Sequence, residues 1–314
     1  MMIAGFGKKQ NYYFNFMTQK EKQYIIGVDI GGTKMSAVLF DGVQVIADYK
    51  LATPKDTLDH FMIMLNALIE PLIERAHKDK IKIKGVGLGV AGVLDYKEEK
   101  ILISPNIPLI NNFKISEQLK EKINLEVKLD NDTNCFTRAE ALLGAGQSYK
   151  NIYGIIIGTG IGGAWWNNNE IYRGAHGGAG EPGHTVIDLT SDLDLEKTFQ
   201  KLTQNNPVAM ANEAYKGDEL SIKAFEEFGS ALGAGFANIV NIIDPEVIII
   251  GGGVSESSEL FLGEAKSAMK KYIFSPEAKK VKIIKGKLGE HAGAIGASLL
   301  YATPSLSNTN LITA

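Results

Sequence analysis

Apolar and polar positions along the chain form short apolar runs separated by tight turns, and this series occurs twice. Its first copy has apolar runs over 24–29, 35–40 and 43–51, with a glycine turn after the first run and Asp41-Gly42 after the second. Its second copy has runs over 153–157, 164–166 and 170–172, again with a glycine turn after the first run. Apolar runs joined by tight turns predict antiparallel strands. The likeness is in plan rather than in residue identity, and it indicates a duplication.

Longer segments carry the spacing of helices. Apolar residues recur at helical intervals from Thr57 to His77, where Pro71 should bend or divide the helix, and from Glu219 to Ile243. Further strands are predicted over 83–91, 127–129, 247–250 and 281–284, and further helices over 115–122, 133–144, 260–272 and 292–301. The first strand leads through its turn to another strand and not to a helix, which is unlike a Rossmann domain. The pattern predicts an α/β fold with an N-terminal lobe over 24–130 and a C-terminal lobe over 131–303.

Composition narrows the choice of partners. The 314 residues suffice for about two domains, and we expect residues 1–23 to be a poorly ordered extension and 304–314 a loose tail. The net charge of −3 argues against nucleic acid or an anionic membrane as the main partner. The sequence contains no run of 18 apolar residues, so no membrane helix is expected. Cys135 is the single cysteine, which excludes an internal disulfide and is consistent with a cytoplasmic protein.

The first glycine turn carries groups that suit a phosphate. Gly31 and Gly32 allow backbone N–H groups to approach an anion closely, Thr33 adds a hydroxyl and Lys34 a cation. Asp29 could hold Mg²⁺ through water, because Mg²⁺ takes few carboxylates and keeps several waters. A plain hairpin turn with a polar tip is the alternative interpretation.

The second glycine turn has the pattern Gly-x-Gly-x-x-Gly but lacks the helix that dinucleotide binding requires. As a hairpin turn it could still bind phosphate through backbone donors, and its candidate residues are Gly158, Thr159, Gly160 and Gly162. Gly252 and Gly253 follow an apolar strand, where a flat base could approach the backbone; an ordinary strand-to-helix turn is the alternative. No P-loop motif is present.

Polar residues between and after the two turns suggest the chemistry. Asp132 follows Asn131 at the end of a predicted strand and could accept a proton from a hydroxyl, although a helix N-cap is the alternative. Glu181 and His184 lie in a glycine-rich loop and could hydrogen-bond a polyol, while a structural role is the alternative for a lone histidine. A proton acceptor between two phosphate sites indicates phosphoryl transfer to an alcohol.

These motifs in this order resemble the ROK family (repressors, open reading frames, kinases) among the actin-like, ribonuclease H-like sugar kinases. The resemblance runs from about Tyr24 to Leu300. It implies a duplicated two-domain fold, ATP with Mg²⁺, a sugar substrate, Asp132 as general base, Pro245 to Gly253 at the adenosine, and a homodimer. It also implies these sugar contacts: Asn131, Glu181 and His184, with Gly92 and Asn106 lining the pocket.

One stretch departs from the family pattern. Many members follow the Gly-His segment with a cysteine-rich zinc cluster, but Asp188 to Phe199 contains no cysteine. We therefore expect no zinc, and expect packing by Leu193, Leu195 and Phe199 to hold this loop. Glu196 matches the sugar-contacting glutamate that trails the cluster.

The resemblance implies an ATP-dependent hexose kinase, with glucose and its 6-phosphate as the leading expectation. Kinases for N-acetylmannosamine, N-acetylglucosamine or fructose are alternatives within the family. A sugar-sensing repressor needs a DNA-binding helix-turn-helix of some 60–80 residues before the first strand, where only Met1 to Gln23 precede it. A sugar binder without catalysis is a further alternative, against which Asp132 and both phosphate turns count.

Overall fold

Two five-stranded sheets with the same internal plan form the framework of the protein. The structure, a computed structural model, describes residues 23–190 and 192–302. The expectations for the N-terminal extension, apart from Gln23, and for the tail over 304–314 lie outside these residues. In the part of the chain that the structure describes, no helix is both long and apolar enough to cross a membrane.

The first sheet consists of β1 (Tyr24–Ile30), β2 (Lys34–Phe40), β3 (Val45–Ala52), β4 (Ile83–Val90) and β7 (Val127–Asn131). Their order in the sheet is β3-β2-β1-β4-β7. The first three strands form an antiparallel meander, and β4 and β7 continue the sheet parallel to β1. Almost every side chain of β1, β2 and β4 is buried, as expected for strands covered on both faces.

The second sheet consists of β8 (Asn151–Ile157), β9 (Ile161–Asn167), β10 (Glu170–Tyr172), β13 (Val247–Gly251) and β14 (Lys282–Lys285). It repeats the order of the first sheet as β10-β9-β8-β13-β14. Again three antiparallel strands are followed by two strands parallel to the first of them. The duplication expected from the sequence is therefore confirmed at the level of strand order and direction.

Eight α-helices cover these sheets within the described residues: α1 (Leu58–Lys78), α2 (Ile115–Ile123), α3 (Asp132–Leu143), α4 (Leu195–Leu202), α5 (Pro207–Tyr215), α6 (Glu219–Ile243), α7 (Leu262–Tyr272) and α8 (Ala292–Ser298). Pro71 was expected to bend or divide α1, and division is wrong, since the helix continues through it. A proline inside a helix costs about 3 kcal/mol. Leu68, Ile69 and Leu72 are fully buried around it, and each such burial contributes about 1.5–3 kcal/mol.

Helix α8, near the end of the chain, returns to the first sheet. A Cβ on Gly27 of β1 would lie 1.9 Å from the Ala294 carbonyl oxygen, and one on Gly87 of β4 would lie 1.9 Å from that of Ala297. On its other side, a Cβ on Gly296 would lie 1.7 Å from the Cys135 carbonyl oxygen in α3. Helices α3 and α8 therefore pack backbone to backbone, and glycines without side chains make this approach possible.

Replacing Gly296 by alanine should destabilise the protein strongly, because the added methyl group meets the backbone of α3 and not a side chain that could move. Overpacking of this kind costs about 1–3 kcal/mol or more. Gly263→Ala in α7 is the matched control, since nothing lies within 4 Å of its Cβ position and alanine favours a helix. Urea unfolding of both variants measures the difference; equal midpoints would contradict the close approach of α8.

Several short elements have no counterpart in the sequence prediction. They are a hairpin of β5 (Val93–Asp95) and β6 (Lys100–Ile103), a hairpin of β11 (Val186–Asp188) and β12 (Leu193–Asp194), and the helices α4 and α5. Leu195 and Phe199 of α4 are each 1% exposed within the core of the second half, which confirms that packing holds this cysteine-free stretch. Leu193 is half-buried.

Candidate functional site

The carboxyl ends of β1, β4 and β7 meet at one edge of the first sheet, because these strands are parallel neighbours. The Ala91 N–H donates to the Ile30 carbonyl at 3.2 Å. The Asn131 side-chain amide donates to the Gly92 carbonyl at 3.0 Å. Gly92 has φ +139°, and a Cβ there would lie 2.3 Å from the Ile103 carbonyl oxygen, so the turn after β4 needs glycine. The first glycine turn, Gly92 and Asn131 are thus brought to one place.

Asp132 is the first residue of α3, while Asn131 is the N-cap and accepts from the Asn134 N–H at 3.0 Å. The alternative in which Asp132 caps the helix is therefore wrong. Its Oδ1 accepts from the Thr133 N–H at 2.8 Å. Within the described residues no hydrogen bond reaches Oδ2. Asp132 is therefore oriented through Oδ1, and its Oδ2 has no hydrogen-bond partner among the described residues.

Asp29 and Asp132 are partly enclosed carboxylates that influence each other. Burial raises the pKa of Asp132 to about 6, against hydrogen bonds from Thr133 that lower it. Desolvation, and then the charge of Asp132, raise the pKa of Asp29 to about 7, while Lys34 lowers it. Near neutral pH both carboxylates can therefore accept a proton, as a general base must.

Two hydrogen bonds stabilise the short first glycine turn. The Gly31 N–H donates to the Lys34 carbonyl at 3.1 Å, and the Thr53 hydroxyl donates to the Gly31 carbonyl at 2.7 Å. Thr33 and Lys34 are exposed, as a ligand contact requires. A Cβ on Gly32 would lie 2.6 Å from the Asn106 Cβ, so this turn contacts the predicted sugar loop.

The second glycine turn adjoins both Asp132 and the end of β13. A Cβ on Gly162 would lie 2.4 Å from the Thr133 hydroxyl, next to Asp132. Gly252 has φ +87° and its Cβ would lie 2.4 Å from the Ile157 carbonyl oxygen at the end of β8. Nothing lies within 4 Å of the Cβ positions of Gly158 and Gly253. The two nucleotide segments predicted from sequence are neighbours, and Thr159 is exposed between them.

Glu181 lies within electrostatic range of Asp132, His184 and Glu196. Burial raises the pKa of Glu181, the His184 charge lowers it, and the charges of Asp132 and Glu196 raise it. The His184 side chain is 53% exposed and its Nδ1 lies 3.3 Å from Asp194 Oδ2. Glu181 is thus within electrostatic range of both Asp132 and His184.

Glu196 lies against the second glycine turn. Its Oε2 accepts from the Ile161 N–H at 2.6 Å, and its Oε1 accepts from the Gln200 amide at 3.2 Å. A Cβ on Gly160 would lie 2.4 Å from Oε2, so the glycine makes room for this carboxylate. The structure therefore gives Glu196 a backbone partner in addition to the sugar contact expected from the resemblance.

A buried network behind the site was missed by sequence reasoning. Asp130 is fully buried and accepts from Arg138 at 2.6 Å and Arg173 at 2.7 Å on Oδ2. On Oδ1 it accepts from Tyr96 at 2.9 Å and Asn134 at 2.9 Å. Burial raises its pKa, but the two guanidinium groups and the Asn134 amide outweigh this and hold the pKa at about 2. No local sequence signal joins these residues, which come from four separate elements or loops.

Comparison with known proteins agrees with the motifs. Residues 25–303 match the ROK family. The N-acetylgalactosamine kinase AgaK of Shewanella sp. (strain ANA-3) is 30% identical over 305 residues, which cover 87% of this chain and 95% of that protein. The xylose repressor of Bacillus subtilis is 27% identical over 89% of this chain and 77% of its own length.

Solved structures agree as well. A crystal structure of a ROK family glucokinase from Streptomyces griseus, in complex with glucose and AMPPNP, matches with a TM-score of 0.75 and 27% identity over 88% of this chain and 98% of that one. The actin-like α/β fold expected from the sequence is thereby confirmed. Since the family match covers nearly every described residue and the site motifs lie together, this chain belongs to the ROK family.

Proposed function

We propose that this protein transfers the γ-phosphoryl group of ATP to a hexose hydroxyl, with glucose as the leading substrate and glucose 6-phosphate as its product. The observation that carries the proposal is Asp132, a carboxylate with a pKa raised to about 6 and an available Oδ2. It lies between two glycine turns that offer backbone N–H groups. A base beside an acceptor hydroxyl that itself faces the γ-phosphate is the arrangement that phosphoryl transfer to an alcohol requires.

In the proposed reaction the substrate hydroxyl oxygen attacks the γ-phosphorus, and the bond from that phosphorus to the β–γ bridging oxygen breaks to release ADP. The hydroxyl proton passes to Asp132 Oδ2. Gly31, Gly32, Thr33 and Lys34 of the first turn hold the phosphates with the second turn, since positioning and charge stabilisation dominate this chemistry. Gly252 and Gly253 border the adenosine.

Mg²⁺ fits the residues present. Asp29 is an enclosed carboxylate whose pKa is raised to about 7, so a nearby cation would favour its ionised form. Among the described residues no three His, Cys, Asp or Glu side chains form a metal cluster. We infer that Mg²⁺ is held mainly by the phosphates and water, with Asp29 nearby, and that it supplies charge neutralisation.

The sugar is proposed to lie against Asn131, Glu181 and His184, with Gly92, Asn106 and Glu196 around it. Asn131 and Gly92 are hydrogen-bonded to each other, and Glu181 is close enough to Asp132 and His184 to interact with their charges. Carboxylate and imidazole groups suit recognition of neighbouring hydroxyls.

N-acetylated hexosamines are the second candidate substrates. Two relatives that are 30% identical to this chain are named N-acetylgalactosamine kinase and N-acetyl-D-glucosamine kinase. A sugar-sensing repressor is a third candidate, because xylose repressors are also similar to this chain. The available Oδ2 of Asp132 favours a kinase, since a sensor needs no base.

An ADP-release assay with Mg-ATP tests these candidates. The sugars are glucose, mannose, fructose, N-acetylglucosamine, N-acetylgalactosamine and N-acetylmannosamine. Glucose turnover well above the others supports the leading proposal, and turnover only with an N-acetylated sugar replaces the substrate. Sugar binding without turnover of any sugar would contradict the kinase proposal.

Activity should fall at acidic pH. The base must be ionised to accept a proton, and the pKa of Asp132 is raised to about 6. We therefore expect kcat/KM to be constant at alkaline pH and to fall about tenfold per pH unit below about 6. A profile measured from pH 5 to 8.5 checks this; a rate that stays constant down to pH 5 would contradict Asp132 as the base.

A further inference from the structure

His184, in the glycine-rich loop, forms a pair with Asp194 at the start of α4. His184 Nδ1 lies 3.3 Å from Asp194 Oδ2, while 53% of the His184 side chain is exposed. The Asp194 side chain is only 12% exposed, and Lys197 Nζ lies 3.8 Å from the same oxygen. The contact thus joins an accessible ring to a carboxylate that is enclosed by protein.

Asp194 is itself fixed by the start of α4. Its Oδ1 caps the helix by accepting from the Lys197 N–H at 2.7 Å. Its backbone carbonyl accepts from the Thr198 hydroxyl at 2.8 Å. With one oxygen held by the helix, the other has a defined direction toward His184. The position of the ring is therefore set by a helix that is anchored through Leu195 and Phe199 in the core.

The chemistry of the pair determines which ring nitrogen carries the proton. A carboxylate offers only acceptors, so a hydrogen bond to it requires a proton on Nδ1. In the neutral ring Nε2 then carries a lone pair and can accept from a hydroxyl. Glu181, close enough to His184 for their charges to interact, is an acceptor as well. Two acceptors side by side would suit two neighbouring hydroxyl groups of one ligand.

We propose that Asp194 is a positioning residue that holds His184 as the Nδ1–H tautomer, so that Nε2 accepts a hydrogen bond from a substrate hydroxyl. The identity of this ligand as a sugar rests on the proposed function, whereas the tautomer does not. Glu196, two residues beyond Asp194, accepts from the Ile161 N–H of the second glycine turn. The first turn of helix α4 thereby contacts both the proposed hydroxyl-binding histidine, through Asp194, and the proposed phosphate-binding turn, through Glu196.

The tautomer can be measured without substrate or turnover. Nitrogen-15 NMR of histidine-labelled protein at about pH 8.5, above the ordinary titration range of imidazole, distinguishes protonated from unprotonated ring nitrogens. The chain has five histidines, and His184→Gln identifies the signal by its loss. We expect a protonated Nδ1 and an unprotonated Nε2 in the free protein. A protonated Nε2 at His184 would overturn the proposal.

Substitutions separate positioning from helix capping. Serine is a good N-cap, so Asp194→Ser keeps the cap and removes the partner of His184. In this variant the His184 ring should become a mixture of both tautomers. The KM for the sugar should rise roughly tenfold, as expected for the loss of one good hydrogen bond, and the KM for ATP should stay unchanged. Asp194→Asn keeps the cap with its one acceptor oxygen, so its amide N–H group faces Nδ1; this variant should favour the Nε2–H tautomer and raise the KM for the sugar as well.

The matched control is Asp218→Ser, because Asp218 caps α6 by accepting from the Ser221 N–H at 2.8 Å, in a helix that carries none of the proposed site residues. It should leave both KM values unchanged. An unchanged sugar KM in Asp194→Ser would overturn the positioning role. If the unmodified protein turns over no sugar, the proposed function fails, while the NMR result still decides the tautomer.

Discussion

Asp132→Asn should lose about 10²–10⁴-fold in kcat while sugar and Mg-ATP still bind, because the amide cannot accept the hydroxyl proton. Asparagine keeps the shape of the side chain, and its carbonyl oxygen can still accept from the Thr133 N–H, as Asp132 does at 2.8 Å. Steady-state kinetics with the best sugar from the substrate assay, together with calorimetric binding, measure both quantities. Retained turnover would remove Asp132 as the base.

The same variant should be no less stable than the unmodified protein. The folded-state pKa of Asp132 is about 6, above its ordinary value of 3.8. Its contribution is therefore most favourable below the unfolded-state pKa and is lost as pH rises toward 6. At pH 7 the ionised carboxylate costs stability, and asparagine removes this cost. Asp218→Asn is the matched control, since it exchanges a remote carboxylate and should change neither activity nor binding.

Asp130→Asn should destabilise the protein by about 3–5 kcal/mol, because it removes the carboxylate shared by Arg138 and Arg173 and leaves a buried cation without its partner. Arg138 contributes most, since its side chain is 10% exposed and that of Arg173 is 36% exposed. Urea unfolding at pH 7 measures the loss. A change below about 1 kcal/mol would assign the ion pairs no more weight than surface pairs.

The double variant with Arg138→Leu provides the control. If the loss comes from an unpaired buried charge, removing that charge should restore part of the stability, as a double-mutant cycle would show. The pH dependence gives a second check. The pKa of Asp130 is lowered from 3.8 to about 2, so its stabilisation is present above about pH 4 and is lost as pH falls toward 2. Asp130→Asn should lack this acid-dependent loss.

The local parts of the fold could be predicted from the sequence. Apolar runs bounded by Gly31-Gly32, Asp41-Gly42 and Gly158 to Gly163 gave strands within a few residues of the observed ones, because turn residues act over four or five positions. The helical spacing around Phe61 and Leu65 likewise predicted α1. The first glycine turn, Gly92 and Asn131 lie together because parallel strands end at one edge of the first sheet, and the second turn reaches them through the close approach of Gly162 to Thr133.

The remaining features depend on distant contacts. Arg173 follows β10, Tyr96 lies in the β5–β6 hairpin, and only tertiary structure places both on Asp130. The guanidinium carbon of Arg173 also lies over the Tyr96 ring, 4.9 Å from the ring centroid, and no local sequence pattern predicts this contact. The prediction for Pro71 rested on the helix-breaking preference of proline alone. The burial of its neighbours outweighs that preference, and the helix continues. The partner of His184 lies ten residues further along, across a hairpin that the sequence did not predict.

The return of α8 to the first sheet has a consequence for biosynthesis. One face of β1 and β4, at Gly27 and Gly87, packs against a helix that begins at Ala292. A ribosome adds residues in order, so that face stays uncovered while more than 200 further residues are made. The first half of the nascent chain therefore stays partly uncovered during this time, which makes this face a target for a chaperone that binds exposed apolar surface.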